Sequence, residues 1–223
     1  MHTEQIFAAW PAPVSVQARV TTRVSGEDAS LQQLPCQWVE QVHGTVVHRL
    51  EQYKADVIPQ ADAIYTQLAG IICGIRTADC LPVFFCDRQG QEIAVAHAGW
   101  RGLAAGVLEN TLQCFQTERS QLLVWFGPAI GPCHFEVGDE VREIYIQAAE
   151  VKDRADTAAA FSATDKQGKW MADIYALARI RLQSAGVEDI SGGGLCTYCD
   201  PEYFYSHRRA RDSGRMTSLI HIS

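Results

Sequence analysis

The chain has 223 residues, 47% apolar and 20% charged, with a formal net charge of −7. That length and apolar content suffice for a sizeable core without disulfide support, and the acidic balance argues against a nucleic-acid surface. No apolar run approaches the roughly 18 residues that cross a bilayer. The N-terminus lacks a basic region followed by a long apolar stretch, so no signal peptide is read and a cytoplasmic location is expected.

In chain order, residues 14–24 alternate weakly and predict a first strand ending at Arg23. Residues 25–36 are polar and turn-like, and 37–50 predict a hairpin-like pair of strands about Gly44. ADAIYT and IICGIRT, within 61–77, predict two strands, LPVFFCD (81–87) another, and QEIAVAHAG (91–99) a buried one. GLAAGVLENTLQCF (102–115) sets Leu103, Val107, Leu108, Leu112 and Phe115 at helical spacing. QLLVWFGPAIG (121–131) reads as a buried strand stopped by Gly127 and Pro128. Residues 138–151 predict a helix with acidic residues in its first turn, and MADIYALARIRLQSAG (171–186) a helix closed by Gly186. The glycines at 192–194 lead into a C-terminal segment of loop and short strand. With no repeat, low-complexity stretch or linker, the pattern predicts one α+β or mixed α/β domain.

His43, Cys80 and His97 each sit where an apolar run gives way to a Gly-rich turn. Strand ends that open into turns are where such folds gather chemistry. Two imidazoles and a thiolate suit zinc or copper, and three protein ligands leave a coordination position free for catalysis. The spacings of 37 and 17 residues match no local zinc-finger pattern and suit ligands drawn from different strands. Each residue also has an ordinary reading, as a polar turn residue, a small core hydrophobe and a hydrogen-bonded core histidine.

The other cysteines are at 36, 73, 86, 114, 133, 196 and 199 and read as free thiols. CTYC (196–199) needs two further ligands to hold a metal, which Cys133 and His134 could supply. With no second CxxC, two reduced cysteines in a packed loop is the preferred reading. GPAIGPCHFEVG (127–138) forces tight backbone turns, either beside a ligand or for packing alone. HAGWRG (97–102) ends a strand and opens a helix, a position that suits an anion, and no nucleotide-binding glycine loop is present. The basic run 206–215 carries Arg208, Arg209, Arg211 and Arg215, either as a solvated loop or as an anion clamp.

QVHG (41–44), ADAIYT (61–66), TADCLPV (77–83), AVAHAGWRGLAAGV (94–107), GPAIGPCHFEVG (127–138) and CTYCDPEYFYSHRRARDSGR (196–215) occur in this order. Together they resemble the YfiH-like, or laccase-domain, family of purine nucleoside phosphorylases over roughly residues 20–220. The resemblance implies a zinc held by His43, Cys80 and His97, and a mixed β-sheet sandwich flanked by helices as a single domain over 1–223. It implies phosphorolysis of adenosine, inosine and methylthioadenosine, with adenosine deamination as a second activity. Older descriptions of the family name copper and polyphenol oxidation, and bacterial members have been linked to fidelity of peptidoglycan synthesis. Toxin deamidases with a Cys–His pair share the implied fold.

Zinc with one thiolate and two neutral imidazoles keeps positive charge and an open position, so bound water titrates near pH ~7, as attack on an adenine C6 requires. Phosphorolysis instead needs a cationic cradle for phosphate, for which Arg23, Arg208, Arg209 and Arg215 are candidates. Asp79, next to Cys80, is a candidate acid/base or a support for the ligand, with a plain salt bridge as its ordinary reading. Two departures from the family pattern bear on substrate choice. The segment after Arg23, VSGEDASLQQLPCQWVE, is short and lacks an Asn-Leu pair, and His207 replaces an aromatic hydroxyl. The partners expected are a purine nucleoside and phosphate, with no nucleic acid, membrane or obligate protein partner. The rival readings are a metal-free hydrolase with Cys80 as nucleophile and His97 as base, and a non-catalytic protein that binds a nucleoside or cell-wall precursor. A multicopper oxidase would need many more histidines than these seven.

Overall fold

The computed structural model describes residues 5–25, 35–211 and 213–223. Most of the polar stretch 25–36, and with it the shortened loop after Arg23, lies outside the described residues. The first half supplies eight strands, β1 (Gln5–Phe7), β2 (Val16–Thr21), β3 (Cys36–Trp38), β4 (Val47–Leu50), β5 (Ala63–Thr66), β6 (Ile72–Thr77), β7 (Leu81–Asp87) and β8 (Ile93–Ala98). Helices then alternate with strands: α1 (Trp100–Ala105), α2 (Val107–Leu112), β9 (Leu122–Phe126), β10 (Glu136–Gly138), α3 (Asp139–Ala148) and α4 (Arg154–Ala159). The chain continues through β11 (Phe161–Ala163), β12 (Lys169–Ala172), α5 (Ile174–Ser184), β13 (Asp189–Gly192) and β14 (Met216–Ile222).

The strands form a six-stranded sheet ordered β13-β9-β7-β8-β5-β4, a five-stranded sheet ordered β1-β2-β14-β6-β3 and a small sheet ordered β10-β12-β11. The six-stranded sheet is the middle layer because its central strands are apolar on both faces. On β7, Leu81, Val83 and Phe85 join the core under the helices, while Phe84 and Cys86 join the core against the five-stranded sheet. On β9, Leu122, Val124 and Phe126 face the first core and Leu123 and Trp125 the second. A period-two strand with two buried faces reads as a continuous apolar run, as the sequence did here. The α+β sandwich with helices on one side is therefore present.

Several boundaries depart from the sequence reading. β3 and β4 are not a hairpin: β3 pairs parallel with β6 in one sheet and β4 parallel with β5 in the other. The segment between them carries the Gly44 turn, so the chain crosses between layers there. The helix predicted over 102–115 begins earlier, at Trp100, and is two helices, broken at Gly106 with φ 103°. A left-handed residue ends one helix and starts the next at no steric cost only if it is glycine. Met171 and Ala172, the first two residues of the helix predicted over 171–186, pair instead in β12, and α5 starts at Ile174 because the Asp173 side chain accepts the Tyr175 and Ala176 N–H groups. The C-terminal strand is seven residues long and sits between β2 and β6, antiparallel to both.

Candidate metal centre

His43 lies between β3 and β4, Cys80 just before β7 and His97 near the end of β8. β7 and β8 are antiparallel neighbours in register Pro82↔His97, so Cys80 and His97 emerge at the same end and on the same face. Their ligand atoms and that of His43 all lie within 4.8 Å of one another. Cys80 Sγ is 3.8 Å from His43 Nε2, and the two imidazole rings meet edge-on with centroids 4.8 Å apart. A tetrahedral zinc sets its nitrogen and sulfur donors roughly 3.3–3.8 Å apart, so the donor set fits with small adjustments. Gly99 closes the floor, where a Cβ would stand 2.7 Å from His43 Cδ2 and 3.1 Å from Cys80 Sγ.

Asp62 arranges this centre from beneath. Fully buried, its carboxylate accepts the backbone N–H groups of His43 (2.9 Å) and Gly44 (2.6 Å), and a longer one from Val42 (3.3 Å). Those bonds hold His43 at φ 60°, a left-handed conformation that costs a non-glycine residue about 1–3 kcal/mol. The same carboxylate lies 2.8 Å from His97 Nδ1, leaving Nε2 as the available nitrogen. A carboxylate behind a ligating imidazole fixes its tautomer and orientation. Burial pushes the Asp62 carboxyl up, but the bonds from His97, Gly44 and Val42 outweigh it and hold the group below the ordinary range. Burial likewise pushes the Cys80 thiol up, yet hydrogen bonds with His43 and His97 bring it down to about 6. Burial depresses His97, and its bonds to Asp62 and Cys80 more than reverse that.

Two clefts of about 380 and 410 Å³ meet over these residues, and His43, Ala78, Cys80 and His207 line both. The first adds Asp79, Trp100, Arg101 and Arg208, the second Arg76 and Arg215. Asp79 sits at φ 84° with both carboxylate oxygens engaged, by the Thr197 hydroxyl (2.6 Å) and the Arg208 N–H (2.7 Å). Arg208 also donates to the carbonyls of His134 and Glu136. Arg209 is not among the residues that line these two clefts and donates to the Thr197, Tyr198 and Phe204 carbonyls. Arg23 stacks over Tyr205 and donates to the Pro201 carbonyl, and is not among the cleft-lining residues described. Sequence reasoning misses Asp62, Arg101 and Arg76. The signal for Asp62 was a carboxylate opening the otherwise apolar ADAIYT, since a buried charge requires partners.

No described helix is long and apolar enough to cross a membrane. A family model described as multi-copper polyphenol oxidoreductase laccase matches residues 13–223. A purine nucleoside phosphorylase of Pseudomonas aeruginosa is 43% identical over 238 aligned positions, covering 95% of both chains. The purine nucleoside phosphorylase YfiH of Escherichia coli is 51% identical over 185 positions, covering 82% of this chain and 72% of that one. A crystal structure of a Neisseria meningitidis protein superposes with a TM-score of 0.87 at 36% identity, covering 99% of this chain and 100% of that one. YlmD from Geobacillus stearothermophilus gives 0.81 at 27% identity, covering 94% and 92%. Motifs, fold and relatives agree, and the chain belongs to the YfiH-like, laccase-domain family of purine nucleoside phosphorylases.

Proposed function

We propose that this chain is a zinc-dependent purine nucleoside phosphorylase, cleaving adenosine, inosine or methylthioadenosine with phosphate, with adenosine deamination as a side activity. The observation that carries the reading is the His43–Cys80–His97 cluster at the junction of two arginine-lined clefts. The names of the relatives support the substrate class. The clefts lie within the ordinary size range for small-molecule sites, roughly 300–1,000 Å³. We take residues 1–223 as one domain, which the family match over 13–223 supports.

His43, Cys80 and His97 would hold the zinc, which supplies a Lewis acid with a free coordination position. A hard oxygen-and-nitrogen donor set is absent, and the single thiolate with two imidazoles suits zinc, with copper the alternative. In phosphorolysis a phosphate oxygen bonds to the ribose C1′ while the glycosidic C–N bond breaks and the departing purine takes up a proton. Arg101 and Arg208, on one cleft wall, provide cationic donors for the phosphate. His207, on the wall common to both clefts, offers an imidazole beside the purine. Asp79 acts as a positioning residue, since both its oxygens brace the turn before Cys80. Arg23 keeps only an outer role in the phosphate approach, consistent with its stacking on Tyr205.

A second reading has one observation in its favour. The ligand atoms of Cys80 and His97 lie within 4.8 Å of one another, and the Asp62 carboxylate stands 2.8 Å behind His97 Nδ1, which gives the order nucleophile, base and orienting carboxylate. Chromatographic analysis of adenosine incubated with and without phosphate separates the readings. The expected result is adenine and ribose 1-phosphate only when phosphate is present, abolished in His43→Ala together with loss of one zinc. Metal-free protein that turns over substrate and is inactivated by alkylation of Cys80 would replace the phosphorylase with the cysteine hydrolase.

A further inference from the structure

Some 60 residues separate the turn Gly131–His134 from the CTYC loop, and the fold puts them in contact. A parallel bridge joins Ala129 to Cys196, with the Thr197 N–H donating to the Ala129 carbonyl at 2.9 Å. The Tyr175 hydroxyl ties the same two segments, donating to Leu195 O at 2.7 Å and accepting the Ala129 N–H at 2.7 Å. Four soft or borderline donors converge at this seam. Cys133 Sγ lies 3.7 Å from Cys196 Sγ and 3.3 Å from Cys199 Sγ, and His134 Nδ1 lies 3.2 and 3.3 Å from Cys133 and Cys199. All four ligand atoms fall within 4.8 Å of one another.

We propose that Cys133, His134, Cys196 and Cys199 form a second, closed zinc site whose role is structural. The sulfur separations exceed the roughly 2.05 Å of a disulfide. They sit close to the edges of a zinc tetrahedron, roughly 3.8 Å between sulfurs and 3.5 Å between sulfur and nitrogen. Four protein donors fill the coordination shell, so this site has no position for substrate, unlike the three-ligand centre. The surroundings match a thiolate-rich ion. The Gly131 N–H donates to Cys196 Sγ at 3.2 Å, and a Cβ on Gly131 would stand 3.1 Å from Cys196 Cβ and 3.3 Å from its sulfur. The His134 ring is stacked on Tyr198 of CTYC at 4.0 Å and 17°, which sets the direction of Nδ1. Three thiolates and one imidazole on Zn²⁺ leave one net negative charge, and the Arg209 guanidinium is bonded to the carbonyls of Thr197 and Tyr198 within the loop.

The site would clip together two walls of the catalytic cleft. The CTYC loop carries Thr197, whose hydroxyl holds Asp79 beside Cys80. The other turn carries His134 and leads into β10 at Glu136, and the carbonyls of these two residues hold Arg208. Metal here would thus position Arg208 and Asp79 without touching the reactants.

Elemental analysis of the full chain, purified without chelator, should find two zinc ions per chain. His43→Ala should leave one, and Cys196→Ser/Cys199→Ser should also leave one, so failure of either site is read separately. Cobalt added to metal-stripped His43→Ala protein should bind at one equivalent and give the visible bands of a tetrahedral thiolate site. Should the serine variants not fold, alkylation of the wild-type protein followed by mass spectrometry decides the matter. Cys133, Cys196 and Cys199 should be protected while zinc is bound and modified once it is stripped. A zinc content that Cys196→Ser/Cys199→Ser leaves unchanged, where wild-type protein takes up no more on addition of Zn²⁺, or equal alkylation of the three cysteines with and without zinc, would overturn the site. A Cys133–Cys199 disulfide in freshly purified protein would do the same.

Discussion

At the scale of single residues, Asp62 organises more of the centre than any proposed ligand does. It gathers three consecutive N–H groups of the His43 turn and the Nδ1 of His97 while fully buried. Asp62→Asn keeps the shape but loses the charge, so metal affinity should fall about 10–100-fold, measured by competition with a chromophoric chelator. An unchanged affinity would make Asp62 a mere packing residue. The carboxyl is held below its ordinary range, so its contribution to stability is present above about pH 4 and lost as the pH falls further. His97 is raised, so its contribution is full below about pH 6.5 and lost as the pH climbs through its folded value. In metal-stripped protein, the stability difference between wild type and Asp62→Asn should therefore peak between about pH 4 and 6.5. Urea titrations run from below about pH 4 to above about pH 9 would refute the pairing if the difference were flat throughout.

Among the elements, the break between α1 and α2 is the most exposed to a single change. Gly106 is at φ 103°, and its N–H reaches back to the carbonyls of Gly102 and Leu103. An alanine there would cost about 1–2 kcal/mol, lowering the melting temperature by roughly 2–8 °C in a chain of this size. An unchanged melting temperature in Gly106→Ala would mean that the two helices can merge. This break also shows where sequence reasoning stops. The apolar spacing from Leu103 to Phe115 describes the buried stripe of both helices equally well, and periodicity carries no sign of a left-handed residue between them. The hairpin expected about Gly44 failed for a different reason. Local pattern reveals a strand but not the sheet that receives it, and β3 and β4 join different sheets. Strands β5 to β9 were legible because burial on one or both faces writes apolar residues into the sequence. The His43–Cys80–His97 set was legible as candidates from residue type and turn context, whereas its convergence depends on the β7–β8 register. Cys133 and His134 were legible only as loose possibilities for CTYC, since nothing local brings them to it.

The molecule as a whole rests on one sheet with a core on each side. Phe84 and Phe85 are neighbours in sequence, fully buried, and belong to opposite cores. Truncating either to alanine should cost about 3–5 kcal/mol, a drop in melting temperature on the order of 10 °C. If residues 1–223 are one cooperative domain, both variants should unfold in a single transition by calorimetry. Two resolved transitions, each sensitive to one of the phenylalanines, would divide the molecule into separate folding units.

Strand β14 has a consequence for biosynthesis. It lies between β2 and β6, whose partners in register run from Val16 to Val20 and from Cys73 to Thr77. A nascent chain therefore carries those two segments unzipped from the synthesis of Thr77 until β14 follows, their hydrogen-bonding edges open to other molecules. Only when residue 222 has left the ribosome can the gap be filled, so the vulnerable period of this protein is its youth on the polysome.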